Sequence, residues 1–188
     1  MLIAVDCDEV LCQLIDSFLS FHNKKWKTNV KRGDINSFYF HKEMELELDE
    51  LFRRFDMYYA TEEFQSAPPL HGAQESIRKL LEQGHEIVVI TARPSHIERH
   101  TLEWLQKHFP DSFKDVHFTH HGRKQSKGEL CVQLGAAVLI DDSADNAFDA
   151  AEKGVKVFLM HAPWNKHAEH KNITCVYSWD EIVAKLSR

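Results

Sequence analysis

An excess of basic charge, a long apolar run and clustered cysteines are all missing from this sequence of 188 residues. Lys and Arg number 23 against 29 Asp and Glu, a net charge of -6, and the basic residues are scattered among the acidic ones. No broad positive face is therefore expected to neutralise a phosphate backbone, so a nucleic acid polymer is not the expected partner, and a small substrate is. No stretch approaches the ~20 consecutive apolar residues of a membrane span. The opening MLIAVDCD has neither the basic start nor the long apolar centre of a secretion signal. Cys7, Cys12, Cys131 and Cys175 show neither CxxC spacing nor the density of a disulfide scaffold, a pattern of free thiols in a reducing compartment. A cytoplasmic protein with no membrane partner is expected. Internal repeats and low-complexity tracts are also lacking, and nothing in the composition fixes an oligomeric state.

What is present is 43% apolar sequence, enough to bury the core of one domain. Leu2 to Val5 is a short run of branched residues that stops abruptly in acid, as a buried strand does when it delivers carboxylates at its C-terminal edge. Two more runs behave alike: His85 to Ile90 stops at Thr91-Ala92-Arg93-Pro94, and Ala136 to Ile140 stops at Asp141-Asp142-Ser143. Between them the pattern turns helical. Ala73 to Gln83 closes on Gly84, and Ser95 to His108 begins after Pro94, with Ser95 as N-cap and Glu98 three residues on. A helix at 144–153 closed by Gly154, a strand at 155–160, a terminal helix at 179–186 and a short strand at 116–119 complete the reading. Strands alternating with such helices predict an α/β fold, a doubly wound parallel sheet that binds ligands beyond the carboxyl ends of its strands.

One segment breaks the alternation. Residues 13–70 are mainly helical and rich in aromatics, and Pro68-Pro69 ends them. This predicts a small helical cap inserted after the first strand, with a core made of 1–12 and 71–188.

The chemistry gathers at the strand ends. Asp6 and Asp8 would repel each other unless a cation neutralised them, and carboxylate oxygens suit magnesium. A lone DxD also occurs on surfaces without any role, and Asp141-Asp142 alone could be an acid pair at a helix N-terminus. Together the two pairs form a metal cage of Asp6, Asp8, Asp141 and Asp142. Thr91 offers a hydroxyl, and with the Ala92 N–H a small anion niche. Lys127 can neutralise a phosphoryl group.

In that order, IAVDCDEVL, ITARP, a lysine before a short helix and VLIDDS resemble the four motifs of the haloacid dehalogenase (HAD) superfamily. The helical insertion after the first motif resembles a type C1 cap. The cap, ITARP and PWNK together look closest to the 5'-nucleotidase and 5'(3')-deoxyribonucleotidase branch. The resemblance implies a magnesium-dependent phosphomonoester hydrolase with a Rossmannoid core, acting on nucleoside monophosphates. Asp6 attacks phosphorus to give an aspartyl-phosphate; Asp8 protonates the leaving alcohol, then activates water, and offers its backbone carbonyl to Mg2+. Thr91, Ala92 and Lys127 hold the phosphoryl oxygens, while Asp141 and Asp142 bind the metal directly or through water. Glu9 departs from the pattern, standing where deoxyribonucleotidases commonly have glycine, in a position to restrict or recharge the leaving-group pocket.

Other readings compete. A phosphate-binding module with little turnover, a phosphomutase and a receiver-like signalling domain share parts of this constellation; the last places its phosphoacceptor on a middle strand and lacks so large an insertion. Phe18, Phe38 and Phe40 are candidates to stack a flat leaving group, although aromatics at helical spacing are more often core. His117, His120 and His121, and His161, His167 and His170, lack zinc spacing with cysteine partners and read as surface or loop residues. Cys7 reads as a buried strand residue.

Overall fold

The computed structural model describes residues 1–119 and 125–187; His120 and His121 lie outside them. Six strands form one parallel sheet: β1 (Leu2–Val5), β2 (Glu86–Thr91), β3 (Asp115–Phe118), β4 (Val138–Asp141), β5 (Lys156–Met160) and β6 (Ile173–Val176), in spatial order β3-β2-β1-β4-β5-β6. The chain winds outward from β1 in both directions, which makes β1 and β4 central and buries them on both faces.

Period-two alternation divides the sheet residues between two apolar clusters. Ile3, Val5, Ile87, Val89, Val138 and Ile140 point to one face and pack with α4 (Ala73–Glu82), α5 (Glu98–His108) and α8 (Trp179–Leu186). Ala4, Val88, Ile90, Leu139, Val157 and Leu159 point to the other, beneath α6 (Lys127–Leu134) and α7 (Ala144–Glu152). Gly84 and Gly154 follow α4 and α7 at φ of 80° and 86°, left-handed conformations that glycine adopts without a Cβ penalty.

Between β1 and α4 lie α1 (Leu14–Trp26), a 3-10 turn at Arg32–Asp34, α2 (Leu48–Tyr59) and the short α3 (Glu62–Gln65). Phe18 stacks on Phe55 with ring centroids 3.9 Å apart, Tyr58 meets Phe18 edge-on, and Phe64 meets Tyr58 edge-on in turn. This aromatic packing is continuous with the apolar cluster on the α4, α5 and α8 face of the sheet. Phe18 and Phe40 are buried in it, so neither presents a face for stacking a leaving group; Phe38 is 49% exposed.

Two local expectations are corrected, and one strand is added. Ser95 does not cap α5: residues Ser95–Ile97 form a separate 3-10 turn, with no side-chain cap on either element. Cys7 sits in the bend just after β1 rather than in the strand. The sixth strand, at the sheet edge, was not foreseen. Among the described residues no helix is long and apolar enough to cross a membrane.

Candidate active site

Parallel register brings the strand ends together. Val5 is opposite Val89 on β2 and Ile140 on β4, and the Asp6 N–H continues the ladder by donating to the Ile140 carbonyl at 2.9 Å. Asp6, Thr91 and Asp141 therefore emerge on one edge of the sheet although they are far apart in sequence.

Lys127, the first residue of α6, ties two of these groups together. Its Nζ is 2.8 Å from Asp6 Oδ1 and 2.8 Å from Asp141 Oδ2, with all three side chains buried. Burial alone would pull the ammonium down, but Asp141 and Asp6 outweigh it and hold Lys127 above its ordinary range. Asp141 also accepts from the Ser143 N–H at 2.8 Å and from Asn146 Nδ2 at 3.2 Å. Asp6 Oδ1 accepts a second hydrogen bond, from the Cys7 N–H at 2.7 Å.

One lysine does not neutralise this edge. Asp6, Asp141 and Asp142 each bring a carboxylate oxygen within 4.8 Å of the others, the one such group of potential metal ligands among the described residues. Burial, opposed by Lys127 and aided by repulsion from Asp141 and Asp8, pushes Asp6 up to about 7. Burial and the nearby Asp141 and Asp6 push Asp142 well above the carboxylate range. Three hard oxygen donors crowded out of water, with their charge only partly compensated, fit a divalent cation such as magnesium.

Asp8 stands apart from that group. Its carboxylate is held by Arg93, a buried residue in the loop after β2. Thr91 is fully buried, and its Oγ1 accepts from the Arg93 N–H at 3.2 Å, which leaves the hydroxyl proton free to donate elsewhere; Ala92 beside it is exposed. Arg93 and Asn146 were missed from the sequence. The signal for Arg93 was a charged residue just beyond the apolar run Ile87–Ile90, a place where burial demands a partner.

Glu9 is buried and held by its own neighbours in the fold. It adopts φ 56°, the left-handed region in which glycine is unstrained. Its Oε1 accepts from the Ile15 N–H at 2.8 Å at the start of α1, and its Oε2 is 2.6 Å from Arg32 Nη1. Glu9 thus supplies the cap that Gln13 does not, and its carboxylate is paired with Arg32.

The remaining candidates do not join the site. His117 is 3.3 Å from Asp115, His161 stacks on Tyr177, His167 is exposed, and His170 accepts from the Asn172 N–H. Burial pushes the Cys7 thiol well up, which suppresses the thiolate a nucleophile needs. A surface hollow of 460 Å³ against β3, lined by Leu102, Val116, His117 and Phe118 among others, includes none of Asp6, Asp8, Asp141 and Asp142.

A crystal structure of a predicted phosphoglycolate phosphatase from Haemophilus somnus superimposes with a TM-score of 0.71 at 17% identity, covering 100% of this chain and 97% of that one. With the motif order and this edge of acids, the fold defines a HAD-type phosphohydrolase, an enzyme of small phosphorylated metabolites, and the receiver-like reading falls away. More narrowly, residues 1–187 match the family model described as 5' nucleotidase, deoxy (pyrimidine), cytosolic type C protein, and the chain belongs to that family. It is similar to a nucleotidase of Clostridium acetobutylicum, 28% identical over 167 residues (88% of this chain, 83% of the relative). A 5'(3')-deoxyribonucleotidase of Bacillus subtilis is 27% identical over 186 residues, covering 98% of this chain and 97% of the relative.

Proposed function

We propose that the enzyme hydrolyses nucleoside monophosphates through an aspartyl-phosphate on Asp6. The observation that carries this reading is the asymmetry of the Asp6 carboxylate. Both of its hydrogen bonds, from Lys127 and the Cys7 N–H, fall on Oδ1. Among the described contacts Oδ2 is left as the attacking oxygen, on a side chain whose orientation is fixed.

In this reading Lys127 and the Thr91 hydroxyl, with the Ala92 N–H, receive the phosphoryl oxygens. Asp8 gives a proton to the leaving alcohol, then takes one from the water that cleaves the acyl phosphate. Asp6, Asp141 and Asp142, with the Asp8 carbonyl, would hold Mg2+, whose charge screens the carboxylates from the substrate dianion. Asp142 has the barer carboxylate of the motif pair, since Asp141 accepts from Lys127, Ser143 and Asn146. Residues 13–70 act as a cap over this edge. The names of the family and of its relatives support a nucleotide as the substrate.

The test is phosphate release from a panel of nucleoside monophosphates, sugar phosphates and p-nitrophenyl phosphate, with magnesium or EDTA. Wild type should favour a nucleotide and need the metal, and Asp6→Asn should lose release together with acid-stable incorporation of label into the protein. Unchanged turnover in Asp6→Asn would sink the mechanism, and a preference for sugar phosphates would move the substrate class.

A further inference from the structure

Two side chains of the PWN segment after β5 converge on Asp142. Asn165 is 4% exposed and makes three bonds. Its Nδ2 donates to the Asp142 carbonyl at 2.8 Å and the Met160 carbonyl at 2.7 Å, and its Oδ1 accepts from the Ala162 N–H at 2.9 Å. This folds the loop back from the end of β5 onto the end of β4. Trp164 uses its indole N–H on the same residue, 3.0 Å from Asp142 Oδ2 and 3.2 Å from its carbonyl. Among the described contacts, that N–H is the one hydrogen bond the Asp142 carboxylate receives.

The choice of donor matters. A lysine here, as at Asp141, would cancel the charge that a cation needs. An indole N–H fixes the carboxylate's orientation without bringing a positive charge that would compete with a cation.

The indole in turn touches the insertion. The Arg32 guanidinium lies 5.7 Å from the centroid of the Trp164 ring, while its Nη1 is held 2.6 Å from Glu9 and 3.6 Å from Asp16. Arg32 thus links a turn of the insertion both to the loop bearing Asp6 and Asp8 and to the residue that orients Asp142.

We propose that Trp164 and Asn165 are positioning residues for the metal ligand Asp142, and that Arg32 seats Trp164, so that placement of the helical insertion sets the affinity of the metal site. The proposal rests on the metal reading given above. It assigns a role to the PWN segment and a reason for an arginine on the insertion.

The experiment is calorimetric titration of the full-length protein with magnesium chloride, which reads binding without turnover. Trp164→Phe keeps the ring and removes the N–H, and should weaken magnesium by about tenfold or more. Arg32→Gln should weaken it less, about threefold, and should add nothing to Trp164→Phe in the double variant, because Arg32 acts through the ring. Circular dichroism and thermal melts establish that each variant is folded; if Trp164→Phe is not, Arg32→Gln at its partly exposed position still reads the coupling. Wild-type affinity in folded Trp164→Phe, or in Arg32→Gln, would overturn the proposal, and so would full additivity of the two. A wild-type protein that binds no magnesium would instead overturn the metal reading itself, and the clamp with it.

Discussion

Arg93 donates three hydrogen bonds to the carboxylate of Asp8, from Nε to both oxygens at 3.1 Å and from Nη2 to Oδ1 at 2.6 Å. The guanidinium is fixed in its turn by Nη1 donating to Thr101 Oγ1 at 3.3 Å and by the rings of Phe64 and Trp104, 5.0 and 5.8 Å away. A planar fork between two aromatic faces holds an aspartate in one orientation far better than an ammonium can. Arg93→Lys is therefore expected to lower kcat by about 10- to 100-fold with KM little changed, less than the full contribution of a general acid–base group because Asp8 itself stays in place. The loss should be larger for a nucleotide, whose alkoxide must be protonated as it leaves, than for p-nitrophenyl phosphate, whose phenolate leaves unaided. Equal losses on both substrates would separate Arg93 from the proton donor.

Lys127 bridges Asp6 and Asp141 in the interior. Lys127→Met removes the counter-charge from two buried carboxylates, a change that costs about 3–5 kcal/mol when one partner of a buried pair is lost. Urea unfolding of the metal-free variant should show that loss, and magnesium should restore part of it by replacing the missing positive charge. Activity should stay at least 100-fold down even with saturating metal if, as proposed, Lys127 also receives the phosphoryl group. A variant as stable as wild type in EDTA would contradict the electrostatic account of this edge.

His22 supplies a pH-dependent term away from the site. It is buried, Arg54 Nη1 is 2.6 Å from its Nε2, and Thr28 Oγ1 is 3.0 Å from its Nδ1. An arginine can only donate, so Nε2 is the acceptor and the proton sits on Nδ1, facing Thr28. Burial, and then the charge of Arg54, lower the imidazole from 6.5 to about 4. The folded state therefore prefers neutral His22: its contribution is fully present above 6.5 and is lost as pH falls through about 4. Melting temperature measured from pH 7 to 4 should fall more steeply for wild type than for His22→Gln. Parallel curves would show that the histidine takes a proton without cost.

Gly128 follows Lys127 at the start of α6, where the Gly128 N–H donates to Asp149 Oδ2 at 2.8 Å. A Cβ there would meet the Asp149 carbonyl oxygen at 2.8 Å and the Ala150 Cα at 2.9 Å, both backbone atoms of α7. Gly128→Ala should destabilise by about 1–3 kcal/mol through overpacking, despite alanine's better helix propensity. The same shift of α6 would move Lys127, so turnover should fall in step with stability. A more stable Gly128→Ala would mean that α6 and α7 yield without strain.

The central strands were legible because each is an apolar run stopped by charge, and the shared edge of Asp6, Thr91 and Asp141 was legible because strand ends in a parallel sheet lie together; Lys127 reaches that edge from the start of α6. β6 was not. Ile173–Val176 is a four-residue edge strand, mostly half-exposed, and its sequence ITCV follows a polar, histidine-containing stretch that reads as loop. Phe18 and Phe40 obeyed the general rule that aromatics at helical spacing pack inward. The partners of the acids stayed hidden for a different reason: Arg93, Asn146 and Trp164 reach Asp8, Asp141 and Asp142 through tertiary contacts that no local spacing encodes. Glu9 looked intrusive in the sequence because its charge was visible and the backbone turn that directs it toward Ile15 and Arg32 was not.

The neighbours of β1 lie far away along the chain: Leu2 pairs with Glu86, and Ile3 with Val138. No hairpin and no single strand-helix-strand unit contains Asp6, Thr91 and Asp141 together. During synthesis the apolar β1 must wait until β4 has been made before it has both its partners. High contact order of this kind slows folding and leaves an unsatisfied strand exposed meanwhile. The arrangement that assembles this acidic edge from distant segments thus leaves β1, made before either of its partners, among the last strands to be secured, and substitutions that weaken the pairing of β1 should lower the yield of refolded protein even where they leave the finished edge intact.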